Sequence, residues 1–151
     1  GTTLGRATVA AAGAAAAFVP LSLAISQAAR STIEFDRSMR NVNSIAQLSE
    51  GQFQGLSKSV LELAGPTAQA PRTLADGLYD LVSSGFESKE ALDVLEVSAK
   101  AATAGLTETE VASKTVAAAL NAYRLPAKRA SVISDILFRT VDRGVISFEQ
   151  L

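Results

Sequence analysis

The sequence predicts an all-α fold in which a long, coiled-coil-like N-terminal helix is followed by short helices in stacked hairpins. Aromatic residues make up only 5% of the chain and Trp is absent, so the core must be built from small and aliphatic side chains, as in closely packed helices. Apolar residues recur throughout at helical spacing, and no segment alternates with period two. Both observations favour helices and exclude a sandwich or barrel.

The first predicted element is one long Ala-rich helix from about Leu4 to Gln47, because no turn cluster interrupts it. One apolar seam advances along it in alternating steps of three and four residues, the a and d positions of a coiled coil. Its members are Phe18, Leu21, Ile25, Ala28, Thr32, Phe35, Met39, Val42 and Ala46. The flanking positions are mostly small or neutral, which favours more than two copies over a two-stranded zipper. Residues 1–48 are therefore predicted to be an oligomerising domain.

Residues 7–29 permit an alternative, because they carry no charge and are long enough to cross a bilayer. Their six strongly apolar side chains contribute only about −2 to −4 kcal/mol to membrane insertion. Pro20, Gln27 and several hydroxyl residues oppose insertion. An Ala-rich packing helix is the preferred interpretation, and a membrane-active, channel-forming protein that uses residues 7–29 is the alternative.

The second predicted domain, residues 49–151, consists of short helices with clear start and stop signals. Ser49 and Gln52 form a capping box before a helix that is expected to end ahead of Gly65-Pro66. Pro71 suits the first position of the next helix. Further helices are predicted over residues 88–104, 108–123 and 126–143.

A recurrence links these helices: GFESKEAL at 85, GLTETEVA at 105 and GVISFEQL at 144 each place Glu five residues after Gly. Gly65, Gly85, Gly105 and Gly144 are the predicted helix joints, where Gly supplies a left-handed C′ residue. The helices that follow are expected to be capped by Thr107 with Glu110 and by Ser147 with Gln150. A period near 20 residues resembles stacked hairpins. The last helix has no room to continue, so we expect a fragment truncated at its C-terminal end.

The amino-acid composition excludes most common kinds of catalytic site. The chain has no Cys and no His, which excludes the usual zinc sites and any Ser-His or Cys-His nucleophile pair. The acidic pairs Glu87/Glu90 and Glu108/Glu110 lie in first helical turns, where they offset the helix dipole. The net charge is −1, and the small basic cluster of residues 124–129 is expected to be solvated. No enzyme activity, cofactor, metal or specific nucleic acid is predicted.

Three stretches of the second half resemble one protein family. Residues 81–125 (LVSSGFESKEALDVLEVSAKAATAGLTETEVASKTVAAALNAYRL), residues 133–151 (ISDILFRTVDRGVISFEQL) and residues 35–64 are similar to the core region of tape measure proteins of tailed bacteriophages. The resemblance implies a structural virion protein, present in several copies in the lumen or tip of the tail. Its length would set tail length, and it would leave ahead of the DNA at infection. Implied partners are further copies, tail tube and tip or baseplate proteins, and transiently the host membrane. A cellular helical-repeat adaptor would explain the hairpins but not this resemblance.

Overall fold

The computed structural model describes residue 27, residues 29–105 and residues 107–144, and the described part is all-α, as predicted. Helix α1 covers residues 29–46. It is followed by α2 (Glu50–Thr67), α3 (Pro71–Ser83), α4 (Ser88–Gly105), α5 (Thr109–Ala122), a 3-10 turn (Ala127–Arg129) and α6 (Ala130–Arg143). No strand occurs among the described residues. The bounds of α2 to α5 lie within three residues of those predicted from the sequence, whereas α6 begins four residues later than the predicted residue 126. The predicted start of the first helix near Leu4 lies outside the described residues.

The chain divides into two units, Gly1–Glu34 and Phe35–Leu151. In the first unit, the described residues are helical and their side chains are exposed. The Ser31 hydroxyl donates a hydrogen bond of 2.9 Å to the Gln27 carbonyl oxygen one turn earlier. The second unit contains the remainder of α1 and helices α2 to α6.

The core of the second unit is built around α4, which packs against α2, α3, α5 and α6. Aliphatic side chains at helical spacing fill it, among them Leu74, Leu78, Leu95 and Leu120, all at 0% exposure. Small residues let the helices approach closely. At Gly77 of α3, an added Cβ would lie 3.1–3.3 Å from three side-chain atoms of α4 and α5. The Leu74, Leu78, Leu81 and Val82 face predicted from the sequence is buried as one stripe.

Three hydroxyl side chains are buried in this small-residue core without a hydrogen-bond partner. Ser98, Thr109 and Ser113 are each at 0% exposure, and their hydroxyl oxygen atoms make no hydrogen bond. A buried hydroxyl that loses its water without gaining a partner destabilises the fold by about 1–3 kcal/mol. The core around Gly77 is therefore densely packed, but these buried hydroxyl groups lower its stability.

The helix joints differ from the four predicted glycines. Gly85 has φ 94° and the hydrogen bonds of a Schellman end, with the Phe86 N–H donating to the Leu81 carbonyl at 3.3 Å. Gly65 instead lies inside α2, and the left-handed residue is Ala68, because the helix continues through Pro66 to a buried Thr67. Gly105 is the last residue of α4, and Gly144 is extended at φ −96°, ψ 166°.

Two further joints have left-handed residues that are not glycine. Gln47, after α1, has φ 50°, and Arg124, after α5, has φ 51°. A left-handed conformation costs a non-glycine residue roughly 1–2 kcal/mol relative to the right-handed one. The hydrogen bonds of these helix ends offset that cost, for example from the Leu125 N–H to the Leu120 carbonyl at 2.8 Å.

The predicted caps agree in one case and differ in another. At α2 the Ser49 N–H donates to Gln52 Oε1 at 3.1 Å, as the capping box requires. At α5 the N-cap is Glu108 rather than Thr107, because the helix begins one residue later than predicted. The Ser147 and Gln150 cap lies outside the described residues.

Candidate functional site

The predicted oligomer seam is divided between described and undescribed parts of the chain. Phe18, Leu21, Ile25 and Ala28 lie outside the described residues, and Thr32 is exposed. Phe35, Met39 and Val42 are 9%, 0% and 0% exposed, and all three pack in the core of their own unit. A side chain in its own core cannot also contact a second copy, so self-association through these three residues requires a second conformation.

An open apolar groove lies where the end of α1, the first turns of α2 and the α3–α4 corner meet. Its volume is about 660 Å³. Apolar side chains form most of its wall, and the polar residues in the lining come chiefly from Gln52 and from residues 87–89. The apolar wall residues are Ile45, Ala46, Leu48, Leu56, Val82, Phe86 and Leu92. Because most of its wall is apolar, the groove is suited to contact with apolar side chains.

Helix α6 presents apolar side chains to solvent. Val132 and Ile136 are one turn apart and 45% and 55% exposed, and Phe138 is 37% exposed. Ala130 and Ser134 are the buried positions of the same helix. Exposed apolar residues grouped on one helix are typical of a contact surface. The periodicity of the sequence alone does not predict that these apolar side chains of α6 are exposed.

A polar cluster in the second unit joins α3 to α5. Lys114 lies 3.8 Å from Asp80 of α3 and also pairs with Glu110 on its own helix. Burial raises the pKa of Asp80, Lys114 lowers it, and the nearby carboxylates of Glu110 and Asp76 raise it further. The hydrogen bond to Glu110 raises the pKa of Lys114. The cluster ties two helices together.

The acidic pairs named in the sequence lie at the starts of α4 and α5. Glu87 precedes α4 and is exposed, whereas Glu90 lies in its first turn. Glu108 is the N-cap of α5, and Glu110 pairs with Lys114. No cluster of three or more potential metal ligands occurs in the described parts of the chain.

The membrane alternative concerns a segment that lies almost entirely outside the described residues, namely 7–29. Among the residues that are described, no helix is both long enough and apolar enough to cross a bilayer.

Comparison with known proteins identifies relatives of this chain. Residues 57–151, more than half of the chain, match the model of the phage-related minor tail protein family. The chain is 25% identical over 128 residues to a probable tape measure protein of Clostridium phage phiCD119, an alignment that covers 82% of this chain and 14% of the relative. It is 26% identical over 106 residues to the tape measure protein of Pneumococcus phage Dp-1, covering 70% of this chain and 9% of the relative. The chain thus spans a small part of these relatives, and no solved structure matches it significantly.

Proposed function

Because this chain belongs to the phage-related minor tail protein family, we propose that it is a structural segment of a tape measure protein in a phage tail. The alignment with two tape measure proteins over most of the chain carries this proposal. The apolar groove and the exposed apolar side chains of α6 support it, since both are suited to contacts with other proteins.

In this proposal the segment lies in the lumen of the tail tube or at its tip, with more than two copies side by side. Its partners are further copies and the tail tube and tip or baseplate proteins. Its contribution to tail length follows from helix geometry, because each residue of an axial helix adds about 1.5 Å. The whole chain as one helix would reach about 225 Å.

The proposal also includes release ahead of the DNA at infection. A net charge of −1 fits this role, because a nearly neutral segment does not bind the DNA that follows it through the tube. Catalysis has no part in this function.

Crosslinking in assembled tails tests the assignment. A photoreactive amino acid replaces Ile136, which is 55% exposed on α6. A matched variant carries it at Lys58, whose side chain is 78% exposed in a polar pair with Glu62. We expect products from residue 136 with copies of the chain or with tail tube or tip proteins, and fewer from residue 58. Purified tails that lack the chain, or products formed exclusively with host membrane proteins, would contradict the assignment.

A further inference from the structure

The heptad spacing of α1 continues without a break into α2, although a turn separates the two helices. Steps of three and four residues lead from Met39 through Val42 to Ala46. The same steps then lead to Ser49, Phe53, Leu56, Val60 and Leu63. A turn between two helices imposes no such register, because the chain leaves the helix and re-enters it at an arbitrary phase. The continuity indicates that residues 47–49 are also compatible with a single helix.

The turn is held by local hydrogen bonds. Gln47 is left-handed at φ 50°. The Leu48 N–H donates to Asn43 Oδ1 at 2.8 Å, and the Ser49 N–H donates to Gln52 Oε1 at 3.1 Å. None of the three turn residues is Gly or Pro, and Gln and Leu are good helix formers. Gln47 and Leu48 are thus compatible with a continuous helix, and the Ser49–Gln52 capping box is the local signal that favours the turn.

Two other joints with left-handed residues are not compatible with a continuous helix. Ala68 is followed by Pro71, and Arg124 is followed by Pro126. Proline inside a helix removes a hydrogen bond and clashes with the carbonyl four residues earlier, so a helix cannot run straight through either joint without a defect. The α1–α2 joint, residues 47–49, contains no proline.

We propose that residues 47–49 act as a switch, so that the same apolar seam packs either in the core of its own chain or against a second copy. In the bent form, Met39, Val42, Leu56 and Val60 pack in the core of their own chain, as the structure shows. In the straight form, α1 and α2 make one helix from Phe35 to Thr67, and its seam packs in parallel against the same seam of a second copy. A second copy presents the same seam in the same register, so the partner in this proposal is another copy of this chain.

In this proposal, straightening of the α1–α2 joint is coupled to self-association of the chain. Exposing the seam of a single chain is unfavourable, and the second copy covers it again, so higher protein concentration favours the straight form. This inference rests on the chain alone and is independent of its place in a tail.

The test compares Gln47→Gly with Ala68→Gly in the full 151-residue chain. Glycine at residue 47 favours the left-handed turn and disfavours the helix, so it should weaken self-association at least tenfold by sedimentation equilibrium. Glycine at residue 68 relieves the same backbone conformation at a joint that Pro71 keeps bent, so association should stay within about twofold of wild type.

A distance measurement follows the same switch. Because the chain has no Cys, spin labels attach only at Arg37→Cys and Lys58→Cys, one on each helix. In a continuous helix these residues are about 32 Å apart, and the bent form brings them closer. We expect the longer distance to gain population as protein concentration rises. A chain that stays monomeric and bent at every concentration would overturn the inference. So would association without lengthening, or equal effects of the two glycine variants on association.

Discussion

Thr109→Val should stabilise the protein, although it removes a polar group from a packed helix interface. Thr109 is 0% exposed, and its hydroxyl has no hydrogen-bond partner. Valine has the same shape, so the substitution leaves packing unchanged and removes the desolvation penalty of about 1–3 kcal/mol. We expect a gain of about 1–2 kcal/mol, which corresponds to a rise in Tm of about 3–8 °C for a domain of this size.

Thr67→Val is the matched control. Thr67 is also buried, at 2% exposure, but its hydroxyl donates to the Leu63 carbonyl oxygen at 2.6 Å. Here the same change removes a satisfied hydrogen bond, and we expect a loss of about 0.5–1.5 kcal/mol. Thermal unfolding followed by circular dichroism at 222 nm measures both variants. A fall in Tm for Thr109→Val as large as that for Thr67→Val would refute the argument, because it would show that the Thr109 hydroxyl has a partner.

Three further predictions concern single positions in the second unit. Gly77→Ala should be about 1–3 kcal/mol less stable than Gly55→Ala in urea denaturation, because its Cβ meets three side-chain atoms at 3.1–3.3 Å whereas that of residue 55 meets nothing within 4 Å. Gly85→Ala should lose about 1–2 kcal/mol through φ 94° alone, since its Cβ also lies in open space, and an unchanged Tm would contradict this. For Asp80, the raised pKa means that the folded state holds its proton more tightly than the unfolded state. The Asp80 contribution to stability is therefore greatest below the ordinary carboxyl pKa and is lost as pH rises through the folded-state pKa. Relative to Asp80→Asn, wild type should gain stability as pH falls from 7 towards 4, and a relative loss in pH-dependent melts would contradict the sign.

The helix content and the first residues of α2 and α3 followed from local signals. The Ser49 capping box and Pro71 each start a helix where the sequence places it. The apolar stripe from Leu74 to Val82 likewise specifies which face of α3 is buried. Such signals act within one or two turns of a helix and do not depend on what packs against it.

The joints were less predictable, because tertiary packing selects the left-handed residue. Thr67 is buried and donates to the Leu63 carbonyl, which extends α2 past Gly65 and Pro66 to a joint at Ala68. Neither Gln47 nor Arg124 carries a sequence signal for positive φ. Packing outweighs local preference at these sites.

The candidate surfaces were predictable only in part. Heptad spacing predicted Phe35, Met39 and Val42 as part of an oligomer seam, and the structure buries all three in the core of their own unit. Periodicity does not specify whether such a seam packs within its own chain or against another copy. The exposed Val132 and Ile136 lie on α6 alongside a buried stripe, and only the packing of α6 distinguishes the two faces.

Tail length is the most direct measurement of the central claim, that this chain is a tape measure segment. In the phage or prophage that carries the gene, an in-frame duplication of residues 35–62 adds 28 residues, four heptads, and preserves the seam register. If these residues contribute axial helix, tails should be longer by about 42 Å in electron micrographs. Tails of unchanged length that contain the longer protein would contradict the claim.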